Sequence, residues 1–189
     1  MLKNPVMLLM ALLFVWGHQL TAQTSASPKY SVPDLYAGIE VGSKGVKLSV
    51  IEMKKNNETG NSFSIVKDTS FNTDFISFTQ PTFDATANSF AGMFQTALTK
   101  FNIPSKRVFT VISSGVKMQA EKDNKRDWVE KLIKEFRLKV NEPQRKVEVV
   151  DVQQEAKLSH QGIVPPNRRY NTFLIDIGSG NSKGGFFPY

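Results

Sequence analysis

Two short segments carry the chemistry that this sequence offers. Ile39-Glu40-Val41-Gly42-Ser43 and Ile175-Asp176-Ile177-Gly178-Ser179 repeat one pattern, apolar, acid, apolar, Gly, Ser, 136 residues apart. A strand that ends in an acid and turns through Gly-Ser presents backbone amides at a tight bend, with no side chain blocking a phosphate. Glycine tolerates the positive φ such a bend can need, and successive amides there form an anion-binding concavity. The preceding acids, Glu40 and Asp176, suit a hydrated Mg2+, which takes one or two carboxylates plus waters and phosphate oxygens. Read singly, each loop is more often a hairpin turn without a ligand. Read together, they indicate an internal duplication cut short at Tyr189. A Walker-type loop is excluded because no G-x-x-x-x-G-K-[ST] occurs. Gly178 to Lys183 lacks the third glycine of a dinucleotide fingerprint, and a strand-like Gly184-Gly185-Phe186-Phe187 follows it where a helix is needed.

The elements that must hold these loops can be read from periodicity. Tyr36 to Glu40, Val46 to Glu52 and Ser62 to Lys67 are β-favouring runs separated by turn residues, which predicts a three-stranded meander. Phe90, Met93, Phe94, Ala97, Leu98 and Phe101 fall at spacings of three and four, which predicts an amphipathic helix from an Asp84 N-cap to Phe101. Arg107 to Ser113 reads as a buried strand, Asp127 to Val140 as a second helix, Lys146 to Val152 as a strand and Gln153 to about His160 as a last helix. Thr172 to Ile177 opens a new strand into the second loop. The order βββ-α-β-α-β-α is an α/β arrangement with helices covering a mixed sheet.

The first residues read as an address. Lys3 precedes the apolar run Val6 to Trp16, and small residues follow, the layout of a secretory signal peptide over 1–22, with cleavage as late as 26. At about eleven residues the run is well short of the roughly twenty that span a bilayer, so no stable membrane anchor is expected. Residues 23–34 form a polar linker, and the product is expected to be exported, periplasmic or secreted from a bacterium. With no cysteine among 189 residues, disulfides and thiolate metal sites are excluded. The net charge of +7 is spread along the chain, which suits a polyanionic phosphate ligand. The aromatic stripe of the first helix reads as core, so no nucleic-acid polymer is expected.

Four segments together resemble one family. Ala37 to Leu48 resembles the first phosphate loop of the exopolyphosphatase and guanosine pentaphosphate phosphohydrolase (Ppx/GppA) family, within the actin, sugar kinase and Hsp70 superfamily. Val111-Ile112-Ser113-Ser114-Gly115-Val116-Lys117, Val149 to Leu158 and Phe173 to Ser182 resemble three further family segments in order. The resemblance implies an actin-like ATPase fold. It makes 35–169 a ribonuclease-H-like first lobe with a mixed five-stranded sheet, and 170–189 the opening strands of a truncated second lobe. It implies phosphate binding by Gly42, Ser43, Lys44, Ser114, Lys117, Gly178, Ser179, Gly180, Asn181 and Ser182. Mg2+, or another divalent cation, would lie at Glu40 and Asp176. Glu155 falls where the family's helix carries a glutamate that positions or deprotonates the attacking water, a role a carboxylate can fill as general base.

Three departures from the family pattern bear on function. Glu40 replaces the usual Asp, Gln154 the first of two paired glutamates, and Lys183 a glutamate that helps bind the metal. A lysine there repels Mg2+ and attracts phosphate. Two functions from different classes follow: an exported hydrolase of terminal phosphoanhydrides acting on a polyphosphate or phosphorylated nucleotide, or a non-catalytic phosphoanion-binding or assembly module. The orphan C-terminal strands must pack on the first lobe or pair with another chain in a homodimer, because an open strand edge invites pairing.

Overall fold

The computed structural model describes residues 34–56 and 60–187. The expected leader, nearly all of the linker and residues 57–59 lie outside the described residues. The meander is present as β1 (Leu35–Val41), β2 (Gly45–Asn56) and β3 (Gly60–Asn72), all antiparallel. It continues through α1 (Gln80–Thr99), β4 (Val108–Ile112), α2 (Ser114–Lys122), α3 (Arg126–Lys139), β5 (Glu148–Val149) and α4 (Val152–Ile163). One mixed sheet of order β3-β2-β1-β4-β5 results, with β1, β4 and β5 parallel. A separate hairpin, β6 (Leu174–Ile177) with β7 (Ser182–Gly185), follows. Among the described residues no helix is long and apolar enough to cross a membrane.

Alternation in β1 creates the core. Leu35, Ala37, Ile39 and Val41 are buried while Glu40 lies on the opposite side of the strand. Facing the buried row, α1 supplies Phe90, Met93, Phe94 and Ala97, and α3 supplies Val129, Leu132 and Phe136. The Phe136 ring stacks on Phe90 at 3.8 Å and meets Phe94 edge-on at 5.7 Å. Gly45 is needed where β2 leaves the first loop, because a Cβ there would run into the Phe71 carbonyl of β3.

Several boundaries differ from the sequence expectation. The first helix begins before Asp84, because Thr79 and Thr82 form a reciprocal capping box and Pro81 in the first turn gives up no needed donor. α2 was not expected at all. Its buried side chains are few and small, Ser114, Val116 and Ala120 among them, too sparse for a helical period to show. The strand expected over Lys146 to Val152 pairs only at Glu148 and Val149, since Asp151 turns aside to cap α4, accepting from the Gln154 amide at 2.7 Å.

The topology gathers the interesting segments at one edge. β1, β4 and β5 end at Gly42-Ser43, Ser113-Ser114 and the start of α4, and the carboxyl ends of parallel strands are where open α/β sheets bind ligands. His160, near the end of α4 and buried, has Nε2 2.8 Å from the Thr172 carbonyl oxygen and its ring edge-on to Phe187. It therefore fastens the chain on either side of the second hairpin.

Phe136→Ala should cost about 3–5 kcal/mol, the range for deleting a buried phenyl ring. Thr79→Ala should cost about 1 kcal/mol through the lost cap. Urea denaturation of both variants checks this ordering; a larger loss at Thr79 than at Phe136 would contradict the core described.

Candidate functional site

The two glycine loops are built alike. The Gly42 amide donates to the Gly45 carbonyl at 2.8 Å, and 136 residues later the Gly178 amide donates to the Asn181 carbonyl at 2.9 Å. Each closes an antiparallel hairpin whose register sets an acid opposite a lysine, Glu40 against Lys47 and Asp176 against Lys183. The repeat thus extends beyond the Gly-Ser motif to the charges beside it. The loops also touch: Ser43 is buried, and a Cβ on Gly180 would run into its Oγ and come within 3.3 Å of Gly115 Cα.

Beside this contact is a cleft of about 290 Å³. Glu40, Gly42, Ser43 and Lys44 line it from the first hairpin, and Asp176, Gly178, Ser179, Gly180 and Asn181 from the second. Glu155, on the first turn of α4, lines it between them. Lys47, Ser113, Gly115, Ser159 and Lys183 also line it. Three residues of the expected phosphate set do not line the cleft. Ser114 is fully buried behind it, accepting from Asn181 Nδ2 at 2.9 Å. Lys117 lies further along α2, and Ser182 is exposed on β7. Lys44 reaches the rim, where its exposed ammonium pairs with Asp74 at 3.1 Å.

The centre of the cleft is a charged knot. Lys183 Nζ lies 3.0 Å from Glu155 Oε1 and 3.0 Å from Asp176 Oδ2, and its side chain is only 4% exposed. Glu155 Oε2 accepts from the Ser114 amide at 2.7 Å. That amide belongs to the first residue of α2, so the carboxylate occupies a helix N-terminus, where negative charge is favoured. Burial by itself would raise the Glu155 pKa, but the hydrogen bonds from the Ser114 hydroxyl and amide and from Lys183 outweigh it and hold the acid below its ordinary value. Burial likewise opposes the Lys183 charge, yet its bonds to Glu155 and Asp176 raise its pKa above 10.5. Glu40 moves the other way: burial, assisted by the nearby Glu155 and Asp176 charges, raises it despite Lys47 and Lys183.

A divalent ion does not fit these residues as they stand. Both Glu155 oxygens and Asp176 Oδ2 are committed to an amide and an ammonium. Among the described residues no three His, Cys, Asp or Glu side chains are arranged to hold a metal. The helix that gives Glu155 its second partner was missed in the sequence; Ser113-Ser114 ahead of Val116 and Ala120 was the only signal for it.

Comparison with solved structures identifies the fold. A Ppx/GppA family member of Aquifex aeolicus superposes with a TM-score of 0.58, covering 82% of this chain and 47% of its own, at 18% identity. The fold is that of the Ppx/GppA structures. An exopolyphosphatase from Cytophaga hutchinsonii matches with a TM-score of 0.51, over 82% of this chain and 51% of its own, at 15% identity. An exopolyphosphatase-like protein matches at 0.53, over 78% and 43%, at 14% identity. No family model and no curated protein matches the sequence. The chain therefore spans about half the length of the Ppx/GppA structures it matches.

The knot sets a pH window for stability. Glu155, depressed in the fold, contributes above the ordinary carboxylate range, and its contribution is lost as pH falls through its folded pKa. Lys183, elevated, contributes below 10.5 and loses that contribution as pH rises through its folded pKa. Thermal melts should show a plateau at neutral pH with losses at both extremes. Lys183→Met, which strands the half-buried Glu155 and Asp176 carboxylates, should cost about 2–4 kcal/mol at neutral pH, at or below the cost of breaking a fully buried pair, and flatten the alkaline limb; an unchanged limb would mean that Lys183 is not in the knot.

Proposed function

We propose that this chain binds a phosphoanion, a polyphosphate or the phosphates of a phosphorylated nucleotide, in the cleft shared by its two glycine loops. The observation that carries this reading is the convergence of both repeats, each with the same amide-closed turn, on one polar cleft. Amides and hydroxyls at such turns suit phosphate oxygens, and Lys47 and Lys183 add positive charge to the wall. The Ppx/GppA fold supports the same ligand class, since the structures it matches include an exopolyphosphatase. Export to the periplasm or beyond is part of the proposal; it rests on the leader pattern and favours polyphosphate over cytoplasmic nucleotides.

Hydrolysis of the terminal phosphoanhydride is the second reading, favoured by the place of Glu155 on the cleft wall. In that reading Glu155 would accept a proton from the attacking water. Its lowered pKa works against this, because a general base is most effective with a pKa near the working pH. Its two oxygens are also already bonded. Binding without turnover is the better supported of the two for this chain.

Calorimetric titration with tripolyphosphate should show saturable binding that weakens with added salt, and no heat of binding would refute the proposal. A phosphate-release assay on the same sample should stay at background for wild type and for Glu155→Gln. Release by wild type that Glu155→Gln abolishes would establish the hydrolytic reading instead. Gly180→Ala, which pushes the second loop off Ser43, should weaken binding about tenfold or more if loop geometry holds the ligand.

A further inference from the structure

The residue that excludes a metal from this cleft also supplies what a metal would. We propose that Lys183 is a tethered cation standing between Glu155 and Asp176 in place of a divalent ion, so that phosphoanion binding here is independent of metal. The inference rests on the binding reading above and names the means by which that site meets its ligand.

Position is the first argument. The ammonium sits 3.0 Å from a carboxylate oxygen of α4 and 3.0 Å from one of β6, two elements brought together only by the fold. An ion joining these two acids would need the same place. Mg2+ would need oxygens at about 2.0–2.1 Å in a near-octahedral set. Here one oxygen of each acid already faces the ammonium, and the other Glu155 oxygen holds the Ser114 amide. An incoming divalent ion would have to displace a side chain only 4% exposed.

Donor count is the second argument. A lysine ammonium has three N–H donors and no acceptor. Two are used on Glu155 and Asp176. The third has Asn181 Oδ1 at 3.5 Å, longer than a normal N–H to O bond, and Asn181 itself belongs to the second glycine loop. A phosphate oxygen entering between the loops is a better acceptor for that donor than the amide oxygen.

The third argument is the repeat. Lys47 holds the equivalent position opposite Glu40 in the first hairpin, so a cross-strand lysine belongs to both copies. Lys47 is exposed, whereas Lys183 is buried against Glu155 and Asp176. A covalently held charge cannot be stripped by a chelator or diluted away. The ligand class that follows is a free phosphoanion, and a magnesium-complexed one gains nothing from its metal.

Two titrations test the inference. Mn2+ titration of the wild-type chain without phosphoanion, followed by water-proton relaxation, should give no saturable site. Lys183→Glu should raise Mn2+ affinity by about tenfold or more, as a restored acid would. Tripolyphosphate should bind wild type at least as tightly in EDTA as in excess Mg2+. Wild type that binds Mn2+ alone, or binds tripolyphosphate only with Mg2+, overturns the assignment of Lys183 and leaves the binding reading intact. Wild type that binds tripolyphosphate in neither buffer overturns the binding reading, and the Mn2+ titration then judges the lysine separately. The wild-type measurements decide the matter even where Lys183→Glu fails to fold.

Discussion

The Glu155 carboxylate answers two donors at once, the Ser114 amide at the head of α2 and the Lys183 ammonium, and the arrangement of the cleft depends on it. A helix N-terminus leaves amides without intrahelical partners, and an ammonium removed from water needs compensating charge. Placing one carboxylate between them satisfies both and links α2, α4 and the second hairpin. Asn181 adds a second strut, donating to Ser114 Oγ. The His160 contact to the Thr172 carbonyl fastens the other end of the hairpin. Without these ties β6 and β7 would be a two-stranded ribbon, and isolated ribbons are marginal in water.

The sheet makes this tie possible. Because β1, β4 and β5 run parallel, their carboxyl ends deliver Gly42, Ser113 and the start of α4 to one edge. The opposite requirement, a dry interior, is met on the other side of β1 by the phenyl rings of α1 and α3. The same strand thus separates core from site by its pleat alone, with Ile39 and Val41 inward and Glu40 outward. That division explains why Glu40 is carried at the mouth of the cleft without disturbing the packing beneath it.

Buried ion pairs are poor sources of stability, since desolvation offsets much of their attraction. The Lys183 knot is better understood as a device of position. It fixes where the second loop sits relative to the first, and it sets an ammonium between Glu155 and Asp176.

Much of this was legible in the residue order. Period-two runs marked the meander, the three-and-four spacing from Phe90 to Phe101 marked α1, and the two acid-Gly-Ser segments announced paired turns, because each is a pattern of neighbours along the chain. The Asp84 cap was misjudged because the Thr79 and Pro81 signals lay outside the apolar stripe. α2 was hidden because a short helix held by Ser114, Val116 and Ala120 shows no period. What only the tertiary structure decided was partnership: Glu155 meets an amide 41 residues away, Ser43 meets Gly180, and Lys183 is buried while its counterpart Lys47 is exposed. Local sequence determines which groups a strand or loop offers. Which of them meet, and which lose their water, follows from strand register and helix packing across the whole lobe.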